Sequence, residues 1–164
     1  EAKVPVSNLL GEEGKGFYYL MEKLQQERLI VAIEVQIEAE EMFRITMDYV
    51  KERKAFNTKI SDFQNTQFKL AEMATEIDIG RTYVNSLVEK HIAGENIVKE
   101  VSMAKWWISE MAKRVAAQCL QLHGGYGYME EYEIARRYRD IPVAAIYAGT
   151  TEIMKGIIAK EILK

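Results

Sequence analysis

The chain has 164 residues, 48% hydrophobic and 29% charged, with a net charge of −3. That size and balance suit one globular domain with a sizeable core, and the acidic sign argues against a nucleic-acid partner, which needs a basic face. Cys119 is the lone cysteine and His91 and His123 the only histidines, so an internal disulfide, a cysteine-based metal site and a histidine-rich one are all excluded.

No apolar run approaches the roughly 18 residues of a membrane span, and the start carries no signal-peptide pattern. Glu1 stands where a methionine would open a complete protein. Val4-Pro5-Val6 reads as a strand or an extended exit, with Asn8 and Gly11 as turn residues. The chain is therefore expected to be a piece of something longer.

Only two prolines, Pro5 and Pro142, interrupt the sequence, so long helices can run unbroken. After Gly14 and Gly16, the residues Phe17, Leu20, Met21, Leu24, Val31, Val35, Met42, Ile45 and Tyr49 follow a helical period. This first helix is expected to reach about Lys54, with room for a break near Gln25. Asn57 and Ser61-Asp62 mark a loop. A second helix carries Phe68, Leu70, Met73, Ile77, Val84 and Leu87, with His91 in its last turn and Gly94 just past its end. A third restarts near Asn96 and carries the stripe Met103, Trp107, Met111, Val115 and Cys119 up to Gly124-Gly125. A shorter helix covers about 130–139, and the last follows Gly149. No strand pattern and no internal repeat stand out. The expected fold is all-α: an up-down four-helix bundle with an additional short helix.

Glu27 is an anomaly. Positions 20, 24, 27, 31 and 35 form one helical face, and Leu20, Leu24, Val31 and Val35 surround a carboxylate there. A carboxylate on a buried stripe has the raised pKa that a general base needs; a salt bridge or simple exposure is the plain alternative. Arg53 ends the first helix and has the planar fork that suits phosphate, or it is a solvated terminus. Gly124, Gly125 and Gly127 follow Gln121 and His123. Their spacing is not a dinucleotide fingerprint, and no strand precedes them, so a helix stop is the simplest reading. His123 alone reads as a satisfied structural residue, and no serine-histidine motif supports a triad. Gly149-Thr150-Thr151-Glu152 puts hydroxyl caps at a helix start, which either attracts phosphate or caps the helix and nothing more. Trp106 and Trp107 read as core or interface residues. Arg136, Arg137 and Arg139, set among Glu130, Glu131, Glu133 and Asp140, read as a solvated charged face.

Four runs together carry a specific resemblance: Glu52-Arg53-Lys54-Ala55-Phe56, Asp62-Phe63-Gln64, Gln121 through Tyr128 (QLHGGYGY), and Tyr147-Ala148-Gly149-Thr150-Thr151-Glu152-Ile153. Their order and spacing resemble the C-terminal helical domain of the acyl-CoA dehydrogenase family over nearly the whole chain. On that resemblance, residues 1–14 are the tail of a preceding β-domain or a linker, and 15–164 are the helical bundle. The family oxidises acyl-CoA to trans-2-enoyl-CoA. A carboxylate takes the α proton, FAD accepts the β hydride, and electrons pass to electron-transfer flavoprotein. Its members are usually homotetramers of the bacterial cytoplasm or mitochondrial matrix.

The resemblance assigns FAD contacts to Arg53, Lys54, Ala55, Phe63 and Gln64. It assigns the adenine end, across a subunit interface, to Gln121, Leu122, His123, Gly124 and Gly125, and further contacts to Thr150, Thr151 and Glu152. Most members place the base where this chain has Ala148, which cannot take a proton. The long-chain and isovaleryl-type branches place it on the first helix in a Glu-Arg-Leu context, and Gln26-Glu27-Arg28-Leu29 fits that pattern here. Glu27 is thus the expected base. Tyr18, Gln25, Gln26 and Arg28 are expected near the acyl-CoA, with Ala148 and Gly149 offering backbone amide to the thioester carbonyl. An oxidase-like relative and a non-catalytic helical oligomerisation module are the alternatives.

Overall fold

A computed structural model describes residues 1–164. Five helices make up the chain: α1 (Gly16–Glu52), α2 (Gln64–Ile92), α3 (Val98–His123), α4 (Glu133–Asp140) and α5 (Thr151–Ile162). The all-α bundle is as expected: four longer helices and one short one. No helix is long and apolar enough to cross a membrane.

Helix α1 runs for 37 residues without a break, so the interruption allowed near Gln25 is absent. Nothing in its sequence forces one, since glycine and proline are missing from Phe17 to Glu52. Its buried face is Arg28, Leu29, Ala32, Val35, Gln36, Ala39, Met42, Thr46 and Val50, at steps of one, three and four. This face opposes Met73, Ile77, Val84 and Leu87 of α2, and Val101, Ile108, Met111, Val115 and Cys119 of α3. Helix α3 is central and packs on all four other helices. Met42, Leu87, Ile108, Met111, Ile134 and Met154 are fully buried, each contributing roughly 1.5–3 kcal/mol of apolar transfer.

One close approach brings α2 onto α1. The Gln36 amide nitrogen donates to Ile77 O and to Glu40 Oε1, both at 2.9 Å. Its oxygen has no partner and lies against Gly80, where any Cβ would sit 2.3 Å from it.

Three local expectations are corrected. Val4-Pro5-Val6 does not form a strand; a 3-10 turn spans Val6–Asn8 instead, set by the φ of Pro5 and exposed throughout. The connection after α1 is not plain loop. Strands β1 (Lys54–Ala55) and β2 (Thr58–Lys59) pair as an antiparallel hairpin. Phe56 and Asn57 at its tip have φ of 53° and 61°, the primed turn that two-residue hairpins use, and strands of two residues are too short to show a period. The short helix starts at Glu133 rather than near Glu130, because Met129 to Tyr132 closes a turn first. Pro142 sits early in a 3-10 turn (Ile141–Ala145) that leads into the last connection.

Candidate active site

The last connection, Tyr147-Ala148-Gly149-Thr150, meets α1 and α3. Ala148 and Gly149 both have positive φ, 54° and 108°. At Gly149 a Cβ would lie 2.6 Å from the Met154 methyl, so glycine is required for space as well as for conformation. Two cations grip the turn from within. Arg28 Nε donates to Ala148 O at 3.2 Å, and Lys105 Nζ donates to Gly149 O at 2.6 Å. Burial lowers the pKa of Lys105, and the Arg28 charge lowers it further. The amide N–H groups of Ala148, Gly149 and Thr150 donate to nothing within the chain. Thr150 caps α5, its hydroxyl accepting from Ile153 N at 3.3 Å.

At the far end of α1 a second feature forms. A cleft of about 610 Å³ is lined by Tyr49, Arg53, Ala55, Ile60 and the run Gln121 to Tyr126, with Met129. The end of α3 turns here because Gly124 adopts φ 60° and because Gly127 lies against Leu120 O, where a Cβ would be 2.6 Å away. Gly125 faces open space. The Arg53 guanidinium stacks on Tyr126 at 4.9 Å. His123 is buried; its Nδ1 lies 2.8 Å from Cys119 O and its ring stacks on Tyr49 at 4.2 Å. Burial lowers its pKa. The backbone around His123 shapes the cleft, and its side chain holds the helix end together.

The expected residues are thus gathered in two places. Arg53, Ala55, Gln121, Leu122, His123, Gly124 and Gly125 line one cleft. Arg28, Ala148, Gly149 and Thr150 meet at the other end. Phe63 and Gln64 lie at the start of α2, one 3-10 turn beyond Ile60, and do not line the cleft. Lys54 pairs with Lys59 in the exposed hairpin and does not line it.

Several side chains differ from expectation. Glu27 is exposed, and so are Tyr18, Leu20 and Gln26. The first three turns of α1 extend past the other helices, so the buried stripe drawn through Leu20 and Glu27 does not exist in this chain; the buried face begins at Arg28. Both polar ends of Gln25 are engaged by the α2–α3 connection, its Nε2 donating to Glu95 O at 3.2 Å and its Oε1 accepting from Ile97 N at 3.1 Å. The Thr151 hydroxyl points into the bundle and donates to Glu110 at 2.9 Å. Glu152 is exposed, and the helix-start amide and the Thr150 hydroxyl lower its pKa. Arg137 is not simply solvated. It ties Glu133 to Glu38 of α1, beside a groove of about 570 Å³ that also holds Glu34, Asp140 and Tyr147. Lys105 was not anticipated at all, although a lysine between Val101, Ala104 and Ile108 is as anomalous as a glutamate on an apolar stripe.

A helical bundle with a donor turn at one end of its long helix and a glycine-walled basic cleft at the other defines a domain of the acyl-CoA dehydrogenase type. Residues 14–163 match the family described as acyl-CoA dehydrogenase, C-terminal domain. The chain belongs to that family. It is 51% identical, over 164 residues, to the mitochondrial long-chain specific acyl-CoA dehydrogenase of Sus scrofa. It is 39% identical to a subunit of the caffeyl-CoA reductase-Etf complex of Acetobacterium woodii. Among solved structures it superposes on the acyl-CoA dehydrogenase of Geobacillus kaustophilus with a TM-score of 0.96 and 72% identity. The match takes in 99% of this chain against the pig protein, 100% against the A. woodii subunit and 98% against the Geobacillus structure. It spans only 38%, 43% and 42% of those proteins.

Proposed function

We propose that this chain is the C-terminal domain of an FAD-dependent acyl-CoA dehydrogenase that converts acyl-CoA to trans-2-enoyl-CoA in fatty-acid oxidation. The Arg28–Ala148 contact carries this reading. It ties the turn of α1 that carries Glu27 to the Tyr147-Ala148-Gly149 turn, which supports a carboxylate and a group of unpaired amides serving one site. Glu27 takes the α proton as base. Amides of the turn receive the thioester carbonyl and hold its oxygen as negative charge develops there. FAD, when bound, accepts the hydride from the β carbon. Ala148 supplies backbone only. Tyr18 and Gln26, exposed on the same end of α1, are left to contact the acyl-CoA.

The donor set at the far end of α1 fits the phosphate and adenine portion of FAD. Arg53 brings a cation for phosphate, and Gly124 and Gly125 bring a bare backbone that a flat base can approach. Yet Arg53 lies 25 residues beyond Arg28 on one continuous helix, about 37 Å at 1.5 Å per residue. That is beyond the reach of a single dinucleotide. Each protomer therefore offers the adenine end of one FAD and the reacting end of another, and the site needs a second copy. The hairpin tip, with Phe56 95% exposed, projects beside the cleft where such a copy would sit.

Homotetramer assembly, electron-transfer flavoprotein as acceptor, and a bacterial cytoplasmic or mitochondrial matrix location complete the proposal. So does a role for residues 1–14 as the exit from a preceding domain. The A. woodii relative, a reductase by name, raises a second reading in which the same bond chemistry runs toward the saturated acyl-CoA. Comparing flavin reduction by acyl-CoA with flavin reoxidation by enoyl-CoA separates the two. An oxidase would instead turn over with oxygen and not with electron-transfer flavoprotein. The decisive test is Glu27→Gln in the flavin-loaded enzyme. Anaerobic bleaching of the flavin by long-chain acyl-CoA should slow at least about 10²-fold; bleaching at the wild-type rate overturns the assignment.

A further inference from the structure

Lys105 and Arg28 are 1% and 7% exposed, and each donates to one of two consecutive backbone carbonyls of the last turn. Neither belongs to a salt bridge; Glu110 and Glu27 act on them only from farther off. Two like charges held in a protein interior to bind neutral carbonyls cost far more than two neutral donors would. A glutamine or asparagine could satisfy the same oxygens. The charge itself therefore requires an explanation.

Ala148 O and Gly149 O belong to the two peptide units whose other ends are the Gly149 and Thr150 N–H groups. Those N–H groups have no acceptor in the chain. A cation at the oxygen end of a peptide unit polarises it and strengthens the N–H end as a donor. It also pins the plane of the unit, which matters where two successive residues have positive φ and the backbone could relax by flipping. We infer that Lys105 and Arg28 are positioning residues for the thioester. They hold the carbonyls of the Ala148-Gly149 turn inward, which fixes the orientation of all three free amides, and they charge-polarise those of Gly149 and Thr150. Neither touches the reacting atoms.

This inference rests on the dehydrogenase reading and deepens it. As the α proton passes to the Glu27 carboxylate, the C–H electron pair moves into the thioester, and its oxygen gains negative charge. Donors that are prepolarised and fixed stabilise that charge without reorganising. Lys105 reaches the turn from α3 and Arg28 from α1, so two independent helices determine the orientation of one turn.

The test uses the flavin-loaded enzyme with Lys105→Met, which keeps the apolar stem and removes the charged donor, and Lys105→Gln, which keeps a neutral donor. Three quantities are read: the single-turnover rate of flavin bleaching by acyl-CoA, the acyl-CoA dissociation constant, and the infrared carbonyl stretch of bound 13C-labelled thioester. Lys105→Met should slow bleaching about 10- to 100-fold, in the range of a weakened oxyanion donor, with the dissociation constant changed less than about threefold. Its carbonyl stretch should return toward the frequency in water. Lys105→Gln should fall between it and wild type, and it carries the test if the methionine variant does not fold. Wild-type bleaching and an unshifted stretch in a folded variant, with only thermal stability reduced, would make Lys105 a purely structural residue and overturn the inference. Failure of acyl-CoA to bleach the wild-type flavin would instead overturn the dehydrogenase reading.

Discussion

Arg28 and Ala148 stand 120 positions apart in sequence and meet across 3.2 Å, the Arg28 Nε donating to the Ala148 carbonyl. The contact ties the turn of α1 that carries position 27 to the turn that carries position 148. On the proposed function, a carboxylate at either one would address the same proton. Ala148→Glu on the Glu27→Gln background is therefore expected to recover part of the flavin bleaching that Glu27→Gln loses. Single-turnover rates of the two variants decide it, and no recovery in a flavin-loaded double variant would show that the two positions do not address the same proton.

Arg53 offers its fork to the second cleft while resting on Tyr126. Arg53→Ala should loosen FAD by about 10- to 100-fold, the worth of about 1.5–3 kcal/mol for a charge-assisted hydrogen bond. Arg53→Lys should recover only part of that, because an ammonium lacks the planar fork. Equilibrium titration of apoenzyme with FAD measures both.

Gly80 tests the packing of α2 on α1. Gly80→Ala improves intrinsic helix propensity by up to about 1 kcal/mol. It also drives a methyl to 2.3 Å from the Gln36 oxygen, and two hydrogen bonds donated by the Gln36 nitrogen hold that amide in place. Overpacking wins, and a net loss of about 1–3 kcal/mol is expected in urea unfolding. An unchanged or raised midpoint would mean that Gln36 moves aside freely.

His123 sets a pH dependence. Its buried ring has a folded pKa below the unfolded value of about 6.5. The unfolded chain then binds the proton more readily, so stability rises with pH across this window. The His123 contribution is complete above about pH 6.5 and is lost as pH falls through the lower folded value. Thermal melts of the chain should show a falling midpoint between about pH 7 and pH 5.5, and a level midpoint there would contradict the assignment.

Much of the bundle is legible in the sequence because its helices carry long apolar stripes: Met111, Val115 and Cys119 lie in the core where a stride of four puts them. The hairpin after Arg53 is not legible, since two-residue strands leave no alternation to read. The register at the start of α1 misleads for a different reason. Leu20 and Leu24 look like core residues by period, but Leu20 is exposed and Leu24 only half-buried, where the α2–α3 connection reaches Gln25; apolar periodicity marks a face able to pack, not one that is covered. The same logic, applied to α3, would have found Lys105, a charge set between Val101 and Ile108. The cleft residues Arg53 and Gly125 are legible only through the motifs they sit in. The union of Gln121 to Gly125 with Arg53 depends on α1 and α3 ending side by side, which no local pattern encodes.

Helix α1 carries Glu27, the proposed base, in its first third and is capped at its other end by Arg53, the proposed phosphate ligand, with no glycine or proline between them to bend it. It acts as a ruler. In an assembly of copies, its length fixes the distance between one cofactor's reacting end and the next cofactor's adenine. Inserting one residue near Thr46 would shift Arg53 by about 1.5 Å and rotate it by about 100°, detuning a neighbouring subunit's site while leaving the base of its own untouched. On the proposed function, the spacing of separate active sites is written into a single helix, and the chemistry of each protomer is constrained by the dimensions of another.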